Sequence, residues 1–337
     1  TIEINDDIRS LTSVVCHSLS DVPDIIDTWN EGKVVDIEGY YENAKINRVY
    51  VDRVHVKKAF AEYTAAYNAD DPKIKLKIDH TYRVAALCER IAKAAGMCAY
   101  DVELAWLSGM LHDVGRFEQI KRYNTFSDAD SVDHAKFGAD LLFKDGLIST
   151  FLNGMVKCTG YKPGALEDRY SSDGVFLYDR LNKSDMEMLE LAIRCHNMYR
   201  IPQGLNRREQ AFCNVLRDAD KVDIFKVNID TPLEEIYNTT TEELMKSDIT
   251  DEVLEAFDEE HCILKAIRRT PADTVIGHVS LAYELVYDES VRITVEQGYL
   301  AKLMHFHSDN EETNRKMAMV REKMDSYVKK RIGEKDA

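Results

Sequence analysis

The chain has 337 residues, 45% of them hydrophobic, and carries 60 acidic side chains against 44 lysines and arginines, for a formal net charge of −16. That is ample apolar material for one large domain or two modest ones, and six prolines and fifteen glycines without low-complexity runs exclude a disordered or fibrous chain. So acidic a chain, with no basic run, repels phosphate backbones and excludes an extended nucleic-acid surface, but leaves room for a small anion where a metal and a few basic side chains dominate.

No apolar run approaches the roughly 18–20 residues of a membrane-spanning helix, and the opening TIEINDDIRS lacks a basic-then-apolar leader. Seven scattered cysteines (Cys16, Cys88, Cys98, Cys158, Cys195, Cys213, Cys262) show no Cys-x-x-Cys spacing. They read as small core residues, and a reducing cytoplasm is the expected location.

Residues 1–49 alternate short apolar pieces with acidic turns and read as an N-terminal appendage; His17 there is an ordinary surface histidine. From Val51 the apolar spacing becomes helical. A first helix is expected over Val54–Tyr67, stopped by Asp70-Asp71-Pro72. The lysine-alternating Lys73–Ile78 leads into a second helix, His80–Ala95, closed by Gly96. Its inward stripe is Val84, Leu87 and Ile91, and His80 lies on that stripe. A third helix, Ala99–Asp113, turns Val102, Leu104, Leu107 and Leu111 inward and breaks at Val114-Gly115. Phe117–Asp130 reads as a capping loop, on which Gln119, Arg122, Tyr123 and Thr125 are candidates to shape a pocket. A fourth helix opens near Ser131–His134, one turn before Phe137-Gly138-Leu141-Leu142.

Residues 145–184 read as a mixed insertion, with a helix from Leu147 to Val156 and a turn-rich Gly160–Gly174. Ser184, followed by Asp185 and Glu187, caps a helix to about Asn197 with the stripe Leu189, Ala192/Ile193, His196. In Ala211–Val227 the inward face Phe212, Val215, Leu216, Ala219, Phe225 is interrupted by Asp220. Beyond Thr231-Pro232 come further helices, the last spanning Met317–Arg331. No cluster of ligand residues is read there: His305 and His307, one residue apart on a helix, cannot face the same point, and His261 and His278 read as ordinary histidines.

His80, His112-Asp113, His134, His196 and Asp220 each arrive on a helix face that should be buried. An unpartnered carboxylate or imidazole in a core costs a few kcal/mol, and five such segments are best satisfied together by divalent cations. Six ligand side chains exceed what one tetrahedral site needs, which favours two ions with Asp113 bridging them.

The order His80…His112-Asp113…Asp220 resembles the HD-domain superfamily of metal-dependent phosphohydrolases. The flanks His80-Thr-Tyr-Arg83-Val84-Ala85, Leu111-His112-Asp113-Val114-Gly115-Arg116 and Arg217-Asp218-Ala219-Asp220-Lys221-Val222-Asp223 are similar to its motifs, and His134 and His196 resemble its dinuclear branch. The likeness covers roughly residues 51–230. It implies an all-α fold: an HD-type helical bundle over 50–230, the appendage at 1–49, and a C-terminal helical extension, 231–337, packed on the bundle.

The resemblance also implies a hydrolase of a small phosphoester or nucleotide-like substrate, with a metal-bridging hydroxide as nucleophile. His80, His112, Asp113 and Asp220 would hold one divalent ion, and Asp113, His134 and His196 a second, iron or manganese being favoured over magnesium, zinc, nickel or cobalt. Arg83 and Arg116 are expected to bind phosphate, with Lys221 a further candidate beside Asp220. The segment after His196 lacks the His-His-Glu and Gly-Tyr-Pro elements of cyclic-di-GMP phosphodiesterases. Similarly, the segment after Asp113 lacks the Glu-Asp of alarmone hydrolases and the Gly-His-Pro-Phe of deoxynucleotide triphosphohydrolases. Two rivals stay open: an HD-fold mixed-valent di-iron oxygenase built from the same six ligands, and a non-catalytic HD sensor or interaction module. The expected partner is a small, phosphorylated anion, with no nucleic acid or membrane and with a homo-oligomer allowed.

Overall fold

The computed structural model describes residues 47–48, 51–152, 158–159, 183–237 and 239–333. The expectations for His17, Cys16, the rest of 1–46 and the turn-rich 160–174 lie outside the described residues. Helices dominate: α1 (Arg53–Thr64), α2 (Pro72–Ala94), α3 (Ala99–Leu111), α4 (Val114–Tyr123), α5 (His134–Ala139, continued by a π-turn over Asp140–Lys144), α6 (Ile148–Leu152), α7 (Lys183–Cys195) and α8 (Arg207–Asp230). After these come α9 (Leu233–Tyr237), α10 (Thr241–Lys246), α11 (Asp251–Asp258), α12 (Pro271–Val279), α13 (Asp288–Gln297), α14 (Tyr299–Met304) and α15 (Glu311–Ile332). Among the described residues the only strand pairing is a two-residue antiparallel ladder, Asn47–Arg48 against Cys158–Thr159. The fold is all-α, as expected from the helical periodicity.

Four boundaries differ from the sequence-based expectation, one of them that of the last helix, which starts at Glu311 behind an Asn310 cap and not at Met317. α2 begins at Pro72, not His80, because Asp71 caps it by accepting from Lys73 N and Pro72 occupies the first turn. The lysine stretch is therefore two helical turns, with Ile74 buried. The loop expected from Phe117 is helix α4 as far as Tyr123, buried along Val114, Phe117 and Ile120. Its aromatic and polar composition hid an amphipathic pattern. α8 starts at Arg207, where Asn206 and Glu209 form a reciprocal capping box.

The centre is formed by α2, α3, α7 and α8, with α4 and α5 closing one end. α3 is buried nearly all round, from Leu104 to Leu111, so it is the axial helix. Close crossings depend on glycine. A Cβ at Gly109 would lie 2.6 Å from Ala85 Cα of α2. Phe60 of α1 and Phe117 of α4 meet edge to face with centroids 5.8 Å apart, and Tyr63 donates to Val114 O at 3.0 Å. α1 is thereby tied to the point where α4 begins.

The C-terminal helices share the core with α8 through Val275, Ile276, Ile293, Leu300 and Leu303. Asp218, fully buried on α8, accepts from Val286 N, Tyr287 N and Ser290 Oγ at 2.7–3.0 Å, and so caps the start of α13 from outside it. Cys88, Cys195, Cys213 and Cys262 are buried free thiols and Cys98 is partly exposed.

His278 on α12 has a buried Nδ1 without a hydrogen-bond partner. Burial, aided by the Arg268 and Lys265 charges, pushes its imidazole down to about 3. In the unfolded chain it protonates near pH 6.5, so between those values the unfolded state binds the extra proton and stability falls as pH falls. Wild type should lose roughly 1–2 kcal/mol relative to His278→Leu between about pH 6.5 and about pH 4.5 in thermal melts. Parallel curves would contradict this.

Candidate metal centre

α3 ends at His112, and Asp113 (φ −106°, ψ 14°) turns the chain so that α4 restarts at Val114. This abrupt restart puts two consecutive side chains into the space enclosed by α2, α7 and α8. His80 enters from the middle of α2, His134 from the first turn of α5 behind its Asp133 cap, His196 from the residue after α7, and Asp220 from the middle of α8. The six ligand candidates gather around Asp113 in two adjoining sets.

Their nitrogens are oriented. His112 Nδ1 lies 2.7 Å from Gly109 O and His196 Nδ1 2.7 Å from Ile193 O. A carbonyl only accepts, so both rings carry their proton on Nδ1 and, when neutral, leave Nε2 bare. His80 and His134 turn Nδ1 to carboxylates instead, Asp223 Oδ2 at 2.6 Å and Asp128 Oδ2 at 2.7 Å. The four Nε2 atoms then face each other in pairs, His80 to His112 at 3.3 Å and His134 to His196 at 3.1 Å. For His134 and His196, both kept neutral by burial, opposed lone pairs at that distance repel unless a cation sits among them.

Asp113 divides the cluster. Its Oδ2 is 3.6 Å from His80 Nε2 and 3.5 Å from His112 Nε2, on the side where Asp220 Oδ1 stands 3.2 Å from His80 Nε2. Its Oδ1 is 3.5 Å from His134 Nε2 and 3.8 Å from His196 Nε2. That Oδ1 is buried and accepts no hydrogen bond. A buried carboxylate oxygen left without a donor amid bare imidazole nitrogens is what a cation would satisfy. The residues fit a divalent metal.

The electrostatics agree. Burial alone would raise the Asp113 carboxyl, but Lys77 and the adjoining histidines hold it well below the ordinary range. Asp220 is likewise held low against burial by His80. Burial, with Arg116 for one and His112 for the other, pushes His134 and His196 down to about 4. His112 is lowered by burial too. His80 is the exception: burial and Lys77 pull it down, but its bonds to Asp220 and Asp223 win and raise it. Imidazoles that stay neutral and carboxylates that stay charged are the protonation states a metal needs.

The basic residues expected to meet substrate sit differently. Arg83 forms two bonds to Asp223, at 2.6 and 2.9 Å. Arg116 donates to Gln119, Phe126 O and Asp128 at 2.7–2.9 Å. Both arginines therefore hold the acids that orient His80 and His134. Lys221 is buried, and burial with the Arg217 charge lowers its ammonium. Of the supposed pocket-shaping residues, Gln119 is buried and donates to Asp128, Ser131 Oγ and Val132 O. Arg122 pairs with Glu118 and lies over Phe137, Tyr123 is exposed, and Thr125 caps Ser127 N.

Three participants were not anticipated: Asp128, Asp223 and Lys77. Asp223 could have been found, since it lies three residues after Asp220 on the same helical face. Asp128 sits in an aperiodic stretch that gives no such signal. Lys77, whose Nζ lies 2.7 Å from Asp113 Oδ2, belongs to the first two turns of α2, whose alternating lysines carry no clear helical signal.

Residues 78–226 match the family model of the HD domain, a segment that holds all six ligand candidates. HD domains are generally metal-dependent hydrolases that bind divalent ions. No curated protein and no solved structure matches the chain. Among the described residues no helix is long and apolar enough to cross a membrane.

The acids behind the histidines carry the next expected result. Asp223→Ala removes the acceptor of His80 Nδ1 and strands Arg83, so affinity for Mn²⁺ should fall about 10- to 100-fold in a calorimetric titration. Unchanged affinity would show that His80 needs no orienting partner.

Proposed function

We propose that this protein hydrolyses a small phosphoester with the help of two divalent ions shared through Asp113. The carrying observation is the division of Asp113: Oδ2 belongs to the His80–His112–Asp220 group and Oδ1 to the His134–His196 pair. Oxygens of one carboxylate facing two sets of bare nitrogens suit a pair of ions better than one.

When bound, such ions supply an acidified water as nucleophile and positive charge for the phosphoryl oxygens in the transition state. The chain's residues supply the rest. Asp223 and Asp128 fix the imidazole tautomers, and Arg83 and Arg116 fix those acids in turn. His80, His112, His134, His196 and Asp113 are buried, and Asp220 is the most exposed of the six ligand candidates, at 16%. The favoured metals are iron and manganese, and the favoured partner is a small phosphorylated anion.

Metal analysis of protein purified without chelators should give close to two ions per chain, with turnover of simple phosphomonoesters. A single tetrahedral zinc would overturn the shared-carboxylate reading. Anaerobic purification followed by electron paramagnetic resonance separates the rival chemistry. A mixed-valent di-iron signal without phosphoester turnover would assign the same six ligands to oxygen-dependent oxidation.

A further inference from the structure

We propose that Lys77 is the residue that anchors the substrate's oxyanion, and that its single charge selects a compact dianion, a phosphomonoester, over a polyphosphate. This rests on the phosphohydrolase reading. The geometry singles Lys77 out. Around the cluster the four imidazoles and Asp113 are at most 5% exposed, whereas the Asp220 and Lys77 side chains keep 16% and 18%. Asp128, on the His134 side, is also part-exposed at 31%, but of the two cations beside Asp113 it is Lys77 that reaches further into solvent, at 18% against 14% for Arg116.

The other nearby cations already face acids. The guanidinium of Arg83 holds Asp223, and that of Arg116 gives its Nη1 to Asp128, a carbonyl and an amide, while its buried Nε, without a hydrogen-bond partner, lies 3.8 Å from Asp113 Oδ1. Lys77 instead touches one oxygen, Asp113 Oδ2, at 2.7 Å. An ammonium has three donors in rotatable geometry, so two stay available for an incoming oxyanion. Lys77 also lies over the ring of Phe126, 5.5 Å from its centroid, with Arg116 5.7 Å from the same ring. This contact holds the ammonium at the lip of the centre.

The charge balance sets the substrate class. A dianionic monoester finds the ions plus one ammonium. The further anionic groups of a polyphosphate would meet Arg83 and Arg116 already neutralised, and otherwise a strongly acidic chain. The residue lies one position ahead of the segment that matches the HD domain, so the assignment concerns this chain and not the shared motif.

The test is calorimetric titration of the Mn²⁺-loaded full-length protein with orthophosphate and with tripolyphosphate, alongside metal analysis of each variant. Lys77→Met should keep the wild-type ion content and bind orthophosphate about ten-fold or more weakly. Lys77→Arg should stay within about three-fold of wild type, because it keeps the charge. Wild type should bind tripolyphosphate no more than a few-fold tighter than orthophosphate. Wild-type phosphate affinity in Lys77→Met would overturn the anchor alone. Loss of bound ions in that variant would show instead that Lys77 serves to position Asp113, and much tighter tripolyphosphate binding would overturn the substrate class. A loaded wild type that binds no phosphate at all would overturn the hydrolase reading itself.

Discussion

Replacing Asp113 by alanine is expected to remove both ions and to lower turnover by on the order of a thousand-fold or more, while the helical signal stays near wild type. Each Asp113 oxygen faces a different pair of imidazoles, so one substitution subtracts a ligand from both halves of the centre. The fold should survive because the Asp113 side chain caps no helix, its close ion-pair partner Lys77 can turn to solvent, and its second, Arg116 at 3.8 Å, is held by Asp128. Metal analysis and circular dichroism on the same preparation check this. Two ions retained in the variant would rule out a shared carboxylate.

Gly115→Ala is expected to destabilise the protein by about 1–3 kcal/mol and to empty the His134–His196 half of the centre first. An added Cβ at Gly115 would stand 2.4 Å from His134 O and 2.7 Å from Gly138 N. Both are backbone atoms, so no rotamer change relieves the overlap, and α4 and α5 must move apart. α5 starts at His134, which makes the displacement fall on a ligand. The contrast is Gly96→Ala, where a Cβ meets nothing within 4 Å and the cost is confined to a φ of +70°. Thermal melts with metal analysis distinguish the outcomes: Gly115→Ala should bind nearer one ion than two, and Gly96→Ala should keep the wild-type content. Equal stability and equal metal in both variants would show that the α4–α5 crossing does not position His134.

Both expectations start from residues legible in the chain itself. His80, His112-Asp113, His134, His196 and Asp220 were found because each stands at helical spacing from buried apolar neighbours such as Val84, Leu107 and Leu216, and that periodicity is local. The boundaries of α2 and α4 were harder. Alternating lysines and an aromatic-rich stretch obscure a buried face that only Ile74, Phe117 and Ile120 reveal.

The amino-acid sequence by itself determined the helical fold class, the residue types of the centre and the faces that carry them. Only the tertiary structure decided how they are used. It set the opposed Nε2 pairs, the division of Asp113, the pairing of Arg83 and Arg116 with Asp223 and Asp128, and the place of Lys77 at the lip. Helical periodicity states which way a side chain points from its own axis. Which partner it meets is decided by how closely two axes approach, and here that approach depends on backbone contacts at Gly109, Gly115 and Gly138, tens of residues away in the chain from Asp220 and His196.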